Sequence, residues 1–441
     1  MSAPFHWDPR ALAVVERLEK AGFETALVGG CVRDSLLGRP LHDYDAATAA
    51  LPQQTMAACA PLRCIPTGEQ HGTVTVLSDG LPVEVTTFRR EGSYADHRHP
   101  DQVTFTTSLE EDLARRDFTV NAMAWTPAGL RDPFGGREDL ERRLVRCVGD
   151  PRRRFEEDAL RILRGLRLAA QLDFTIHPET AASIRETTPL LAHVAWERIG
   201  AEFLRLLRGP GAGRILLEYP ETVCQVIPEL APAVGFDQRS PHHCFDVYTH
   251  CVKTLEEVSP RPALRLAALL HDVGKPACFS LDEQGVGHFY NHPQESARQT
   301  GDILRRLRLD NAARERVETL VLRHSLPVEV TPRWVGRWLR RLGPEVFLDL
   351  MELESADRLA CAPIHAGEED VPQQAARLAR EILAQAPCLT LKDLAVNGRD
   401  AMAAGLKGPE IGRALNHLLD LVAQGDLPNQ RDILLKHLKQ E

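Results

Sequence analysis

The chain has 441 residues, 43% of them hydrophobic, which is enough apolar material for several cores and about two to four domains. A formal net charge of −9 excludes a protein coated throughout in nucleic acid, while leaving room for a local basic track. No apolar run approaches the length that spans a bilayer, and ten scattered cysteines without a Cys-x-x-Cys pair read as reduced thiols, so the expectation is a cytoplasmic protein with no membrane partner.

Residues 1–22, MSAPFHWDPRALAVVERLEKAG, carry acids and bases on an amphipathic helix and do not resemble a leader. Ala26-Leu27-Val28 then reads as a buried strand, and Gly29-Gly30 as a sharp turn into a helix that closes at Gly38. A glycine turn opening a helix, here at Gly30, offers free N–H groups to phosphate oxygens, and Arg33 adds a bidentate donor. In Asp43-Tyr44-Asp45 the period of a strand puts both carboxylates on one face and Tyr44 on the other. Two carboxylates so close repel unless a divalent cation lies between them. Taken singly, a Gly-Gly pair is a common loop and Asp-x-Asp a solvated turn.

From about 23 to 150, β-rich pieces (GTVTVL, PVEVTTF, QVTFTT) alternate with helical ones, the pattern of a mixed α/β domain. Glu84 sits on the alternating strand PVEVTTF; it either joins the two aspartates from a neighbouring strand or faces solvent. The segment EDLARRDFTVNAMAW, residues 111–125, sets Arg115 and Arg116 before Asp117 and Asn121, combining phosphate or base donors with groups suited to a ribose. DPFGG, residues 132–136, is a Pro-Gly turn. On a helix spanning residues 152–172, Asp158, Arg161 and Arg164 recur every three residues and Arg167 continues the row, a pattern that alone describes a surface salt-bridge ladder.

Beyond Phe155 nearly every segment has helical period and no strand clusters stand out, so an α/β head is expected on a long all-α body. Boundaries fall near residues 147–155, 231–243 and 361–374, giving expected domains of 1–150, 151–235, 236–365 and 366–441. His271-Asp272 closes an apolar helix, and burying such a pair demands metal or hydrogen-bond partners; His250 precedes it, and His292, His324 and Asp357 follow. Arg152-Arg153-Arg154 and RWVGRWLRRL, residues 333–342, are basic tracks or solvated helix faces. Residues 405–412, GLKGPEIG, place glycines and a lysine at a helix start, suited to an RNA phosphate or to a capped αα-hairpin.

The glycine turn with Arg33, followed ten residues later by Asp43 and Asp45, resembles the active-site signature of nucleotidyltransferases related to DNA polymerase beta. Within them the chain resembles class II tRNA nucleotidyltransferases and bacterial poly(A) polymerases. The resemblance implies an α+β fold: a polymerase-beta-like α/β head followed by an all-α neck, an HD body and a tail. It implies Mg2+ at Asp43 and Asp45 with Glu84, one ion acidifying an attacking 3′-hydroxyl and another holding the triphosphate. It gives Arg115 a nucleotide contact and lets Asp117 and Asn121 shape the sugar side. It makes residues 152–172 a protein template in which Asp158 and Arg161, with Arg164 and Arg167 along the row, read the base edges of C and A. DPFGG corresponds to the hinge between head and neck, and residues 89–113 to a loop that full CCA-adding and A-adding enzymes carry.

The histidines resemble an HD phosphohydrolase site, with His250, His271, Asp272 and Asp357 as ligands, His292 and His324 supporting a second ion, and a metal such as Ni2+, Mn2+ or Co2+. The expected partners are tRNA, CTP and ATP, and the expected state is a monomer or homodimer. The expected activity is template-independent completion of tRNA 3′ ends with CCA, joined by a phosphatase or cyclic phosphodiesterase activity. A-only addition, poly(A) synthesis, and an HD phosphohydrolase with a nucleotide-binding head are the alternatives.

Overall fold

A computed structural model describes residues 5–68, 72–91, 103–241, 243–361, 370–385 and 388–439. The middle of the loop expected within residues 89–113, namely 92–102, and part of the boundary expected at 361–374 lie outside the described residues. The chain forms two compact units that part between Val226 and Ile227. No helix of the described residues is long and apolar enough to cross a membrane.

The first unit is built on a seven-stranded sheet. Its strands are β1 (Thr25–Val28), β2 (Tyr44–Thr48), β3 (Arg63–Gly68), β4 (Thr73–Ser78) and β5 (Leu81–Thr87); a side ladder of β6 (Arg89–Glu91) and β7 (Val103–Phe105) precedes β8 (Ala124–Thr126) and β9 (Gly129–Arg131). The sheet order is β3-β4-β5-β2-β1-β8-β9, with β2 and β5 parallel and the other neighbours antiparallel. Every residue of β1 is buried, which is why that strand reads as an unbroken apolar run rather than an alternation. Ala26, Val28, Ala47, Phe88 and Ala124 share one core cluster with Leu109 and Leu113 of the helix Leu109–Ala114. Helix Pro9–Lys20 buries Val14, Val15 and Leu18 and opens on Asp8, whose side chain accepts the Arg10 N–H.

The row expected on one helix is divided in the structure. Helices Pro151–Glu157 and Leu160–Leu172 are separate, and Asp158 between them is extended at φ −139° and ψ 103°. The reason is local: Asp158 Oδ1 accepts the Leu160 N–H at 3.1 Å, so the side chain that continues the helical period instead starts a new helix.

The second unit is mainly helical, from Val247–Glu257 to Arg431–Leu438. It also contains a hairpin, Phe279–Leu281 with Gly287–Phe289, where no strands are expected; Phe279 and Phe289 are register partners with ring centroids 5.5 Å apart, so an aromatic cross-strand pair holds the ribbon. In helix Pro332–Leu342 the arginines of RWVGRWLRRL turn to neighbours. Arg340 donates to Asp420 at 2.6 Å, Arg337 to Gln424 at 3.2 Å, and Arg333 lies 3.2 Å from Asp426. This run is thus engaged in packing against the helix Pro409–Ala423 and the residues just after it, rather than forming a solvated face.

Candidate active site and metal centre

Strands β2 and β5 set Asp45 directly opposite Glu84 in parallel register, and Tyr44 opposite Val83 on the reverse face. Asp43 stands one residue before β2 and is exposed, as is Glu84, while Asp45 is half-buried. Burial, then the nearby charges of Glu84 and Asp43, push the Asp45 carboxyl up to about 6 against the opposing pull of Arg116. Such a site gains from any cation that lets Asp45 ionise, and the residue types fit a hard divalent ion. Gly29 is favoured by its φ of +73°, and a Cβ there would press on Arg116 Nη1 at 3.1 Å beside Asp45.

Gly30 opens the helix Gly30–Leu36, which carries Arg33. Arg33 donates to Asn121 Oδ1 at 2.6 Å and grips Asp34 at 2.9 and 2.7 Å, joining two motifs that are 88 residues apart in the chain. Arg115 and Arg116 both hold the buried Asp112, at 2.8 and 3.1 Å. Burial works against the charge of Asp112, and the two guanidiniums outweigh it, leaving its carboxyl below the ordinary range. The sequence carries one signal for Asp112, the helical i, i+3 and i, i+4 spacing to two arginines.

The candidate base readers are buried. Asp158 pairs with Arg198 at 3.1 Å, a partner forty residues away that no local spacing identifies. Arg161 donates to Glu157 at 2.7 Å and to the carbonyls of Arg154 and Arg115 at 3.1 and 3.4 Å. Arg164 lies 2.8 Å from Asp117, and Arg167 2.6 Å from Glu202. Asp158 and Arg161 are 9% and 7% exposed, so these are buried or half-buried pairs and not a surface ladder along one helix: Arg161 and Arg164 reach across to the 111–125 motif, and Asp158 and Arg167 to the helix Trp196–Leu207. In DPFGG the Asp132 carboxylate accepts the N–H groups of Gly136 and Arg137 at 2.7 and 2.9 Å, capping the helix Gly136–Glu141.

In the second unit, four histidines and two aspartates converge. His250 comes from helix Val247–Glu257, His271 and Asp272 follow helix Pro262–Leu270, His292 begins helix His292–Arg306, His324 follows helix Asn311–Arg323, and Asp357 comes from helix Pro344–Leu359. His250 Nε2 lies 2.8 Å from Asp357 Oδ1 and 3.5 Å from Asp272 Oδ2, and His271 Nε2 lies 3.2 Å from that same oxygen. The other oxygen of Asp272, Oδ1, lies 3.3 Å from His292 Nε2 and 3.5 Å from His324 Nε2. Asp272 therefore faces two ligand groups at once. His271, His292 and His324 donate their Nδ1–H to the carbonyls of Ala268, Phe289 and Val321 at 2.8, 2.7 and 2.7 Å, which leaves each Nε2 lone pair directed inward. Lys275, absent from the expected set, donates to Asp272 at 2.6 Å and to Gln238 at 2.9 Å. Burial opposes the Asp272 charge, but His271 and Lys275 prevail and hold its carboxyl well below the usual range.

Three family models match the chain: the poly(A) polymerase head domain over residues 25–146, the "Probable RNA and SrmB- binding site of polymerase A" over 173–233, and the second domain of tRNA nucleotidyltransferases over 287–438. The CCA-adding enzyme of Levilactobacillus brevis is 36% identical over 439 residues, 96% of each chain. The chain belongs to the CCA-adding enzyme family. A second CCA-adding enzyme, from Geobacillus stearothermophilus, is 48% identical over 223 residues, and there the match spans about half the length of the curated relative, 54%. Among solved structures, the Bacillus stearothermophilus CCA-adding enzyme in complex with CTP is 31% identical with a TM-score of 0.74, covering 100% of this chain and 98% of that one. The Thermotoga maritima CCA-adding enzyme complexed with tRNA shares the fold at a TM-score of 0.59 and 18% identity, covering 98% and 96%.

In this member of the CCA-adding family the head model spans Asp43, Asp45, Glu84 and the 111–125 motif, whereas His250, His271 and Asp272 lie between the ranges that the other two models match.

Proposed function

We propose that the chain adds CCA to tRNA 3′ ends, transferring CMP twice and AMP once from CTP and ATP without a nucleic-acid template, in the cytoplasm. The observation that carries this reading is the register pairing of Asp45 with Glu84 beside the Gly29-Gly30-Arg33 turn, in a chain whose family is that of CCA-adding enzymes. Asp43, Asp45 and Glu84 would hold Mg2+, which when bound supplies charge neutralisation for the attacking 3′-oxygen and the departing pyrophosphate. Helix Gly30–Leu36 presents its N-terminus and Arg33 to the triphosphate, with Arg115 contacting the nucleotide and Asp117 and Asn121 shaping its sugar side. Asp158 accepts from the exocyclic amine that C and A share, and Arg161 donates to a ring nitrogen or carbonyl, with Arg164 and Arg167 continuing the row; Arg198 holds Asp158 in place, and Glu157 holds Arg161. The working division is a head over 1–150, a neck over 151–235, an HD body over 236–365 and a tRNA-binding tail over 366–441. The test uses tRNA transcripts lacking one, two or all three terminal nucleotides, each with single labelled triphosphates. Growth of all three ends, CTP before ATP, is expected. Growth only where the last A is missing would replace this reading with A-only addition, and untemplated A runs would replace it with poly(A) synthesis.

A second activity is favoured by one observation, the position of Asp272 between two ligand groups. We infer a metal-dependent phosphohydrolase centre taking Mn2+, Ni2+ or Co2+ and acting on phosphate esters of nucleotides or tRNA ends. With these ions the chain is expected to hydrolyse a phosphodiester, and Asp272→Ala to abolish that hydrolysis.

A further inference from the structure

Beside the hydrolytic centre, and sharing His250 with it, lies a third group of ligand atoms. His243, His250 and Cys361 each offer one atom, and these lie within 4.8 Å of one another. Cys361 Sγ is 3.9 Å from His243 Nδ1, and the His243 and His250 rings meet edge to face with centroids 5.1 Å apart. A tetrahedral soft cation with bonds of about 2.0–2.3 Å spaces its ligands roughly 3.4–3.8 Å apart, so only a small inward movement separates this group from a coordination sphere. His250, held at Nε2 by Asp357, is also the histidine of the centre with the longest main-chain contact. Its Nδ1 is 3.4 Å from the Ala360 carbonyl, whereas the other three histidines make bonds of 2.7 or 2.8 Å to theirs. Ala360 directly precedes Cys361, so the loose bond and the thiol lie on neighbouring residues.

We propose that His243, Cys361 and His250 form a binding site for a thiophilic divalent cation such as Zn2+ or Cd2+, and that its occupation draws His250 away from Asp357 and silences the neighbouring centre. The chemistry differs between the two sites. The centre around Asp272 offers imidazoles and carboxylates, suited to ions such as Mn2+ or Ni2+, while the third group adds a thiolate, which selects softer ions. On binding, Cys361 releases its proton to solvent and the sulfur lone pair forms the metal bond, with no change of oxidation state. The silencing half rests on the phosphohydrolase reading; the ligand set does not.

Cd2+ titration of the full chain, followed by the ultraviolet charge-transfer band of a cadmium–thiolate bond, separates the two. The wild-type chain is expected to show a band that saturates at one ion. The band should disappear in Cys361→Ser, require about tenfold more Cd2+ or worse in His243→Ala, and persist in Asp272→Ala. A band undiminished in Cys361→Ser would overturn the site. With Mn2+ present, Cd2+ is expected to inhibit phosphodiester hydrolysis by the wild-type chain and to spare Cys361→Ser, whose activity without Cd2+ equals wild type. Equal inhibition of both would overturn the silencing. If the wild-type chain hydrolyses nothing, the phosphohydrolase reading and the silencing fall together, and the band still decides the ligand set.

Discussion

A carboxylate held near 6 by burial and by Glu84 costs the folded state free energy whenever it is ionised. The folded value lies above the unfolded one of about 3.9, so the cost is absent below the unfolded value, grows as pH rises toward 6, and is full above it. Asp45→Asn is therefore expected to stabilise the metal-free chain by about 1–3 kcal/mol at pH 7, with the gain fading toward pH 4, as denaturant unfolding in a chelator would show. The same substitution should lower nucleotide addition by several orders of magnitude. Asp158→Ala tests the base reading. It is expected to narrow the kcat/KM preference for CTP and ATP over UTP and GTP by about 1–3 kcal/mol, measured with all four triphosphates. Unchanged ratios would reduce Asp158 to a helix cap and a partner for Arg198. Asp45 and Glu84 were legible in the sequence because a period of two betrays a strand face. Arg198 was not, because an ion pair across forty residues leaves no periodic trace.

Elements meet where a side chain is missing. A Cβ on Gly336 would lie 1.8 Å from the Ala423 carbonyl oxygen, so helices Pro332–Leu342 and Pro409–Ala423 touch backbone to side. Gly336→Ala is expected to cost about 1–3 kcal/mol of stability in thermal denaturation. Gly136 is similarly close-packed, 2.2 Å from the Thr119 carbonyl oxygen by the same construction. Since Thr119 begins the turn that carries Asn121, Gly136→Ala should slow nucleotide addition at a position that touches no nucleotide in the proposed scheme, and single-turnover rates would reveal it. Helical period found the helices of the body well, but it read straight through Asp158, because a residue that caps the next helix occupies the position a continuing helix would also give it. The arginines of residues 333–342 stay open in the sequence for a related reason: composition reports charge, and only packing reports that Asp420 and Asp426 are there to meet it.

At the level of the whole molecule, the two carboxylate sets belong to different compact units. Their activities should therefore separate: Asp43→Ala is expected to abolish addition and leave phosphodiester hydrolysis at wild-type rate, and Asp272→Ala to do the reverse. Loss of both activities in either folded variant would mean that the sites depend on each other. The order of motifs along the chain made the family legible without coordinates. The two candidate ligand groups that share Asp272, with Lys275 and Gln238 behind it, were only half legible, since the four histidines come from four helices and Asp357 from a fifth, and no sequence spacing encodes their meeting point.

His271, His292 and His324 share one further property: each donates its Nδ1–H to the carbonyl three positions earlier, at Ala268, Phe289 and Val321. A main-chain carbonyl is present whatever amino acid is encoded there. The orientation of three imidazoles thus needs no particular side chain as acceptor, and volume-conserving substitutions at residues 268, 289 and 321 are expected to cost less metal loading than substitution of the histidines they steer. A carboxylate acceptor can be deleted by one nucleotide change; the aim of these three rings rests on main-chain atoms instead.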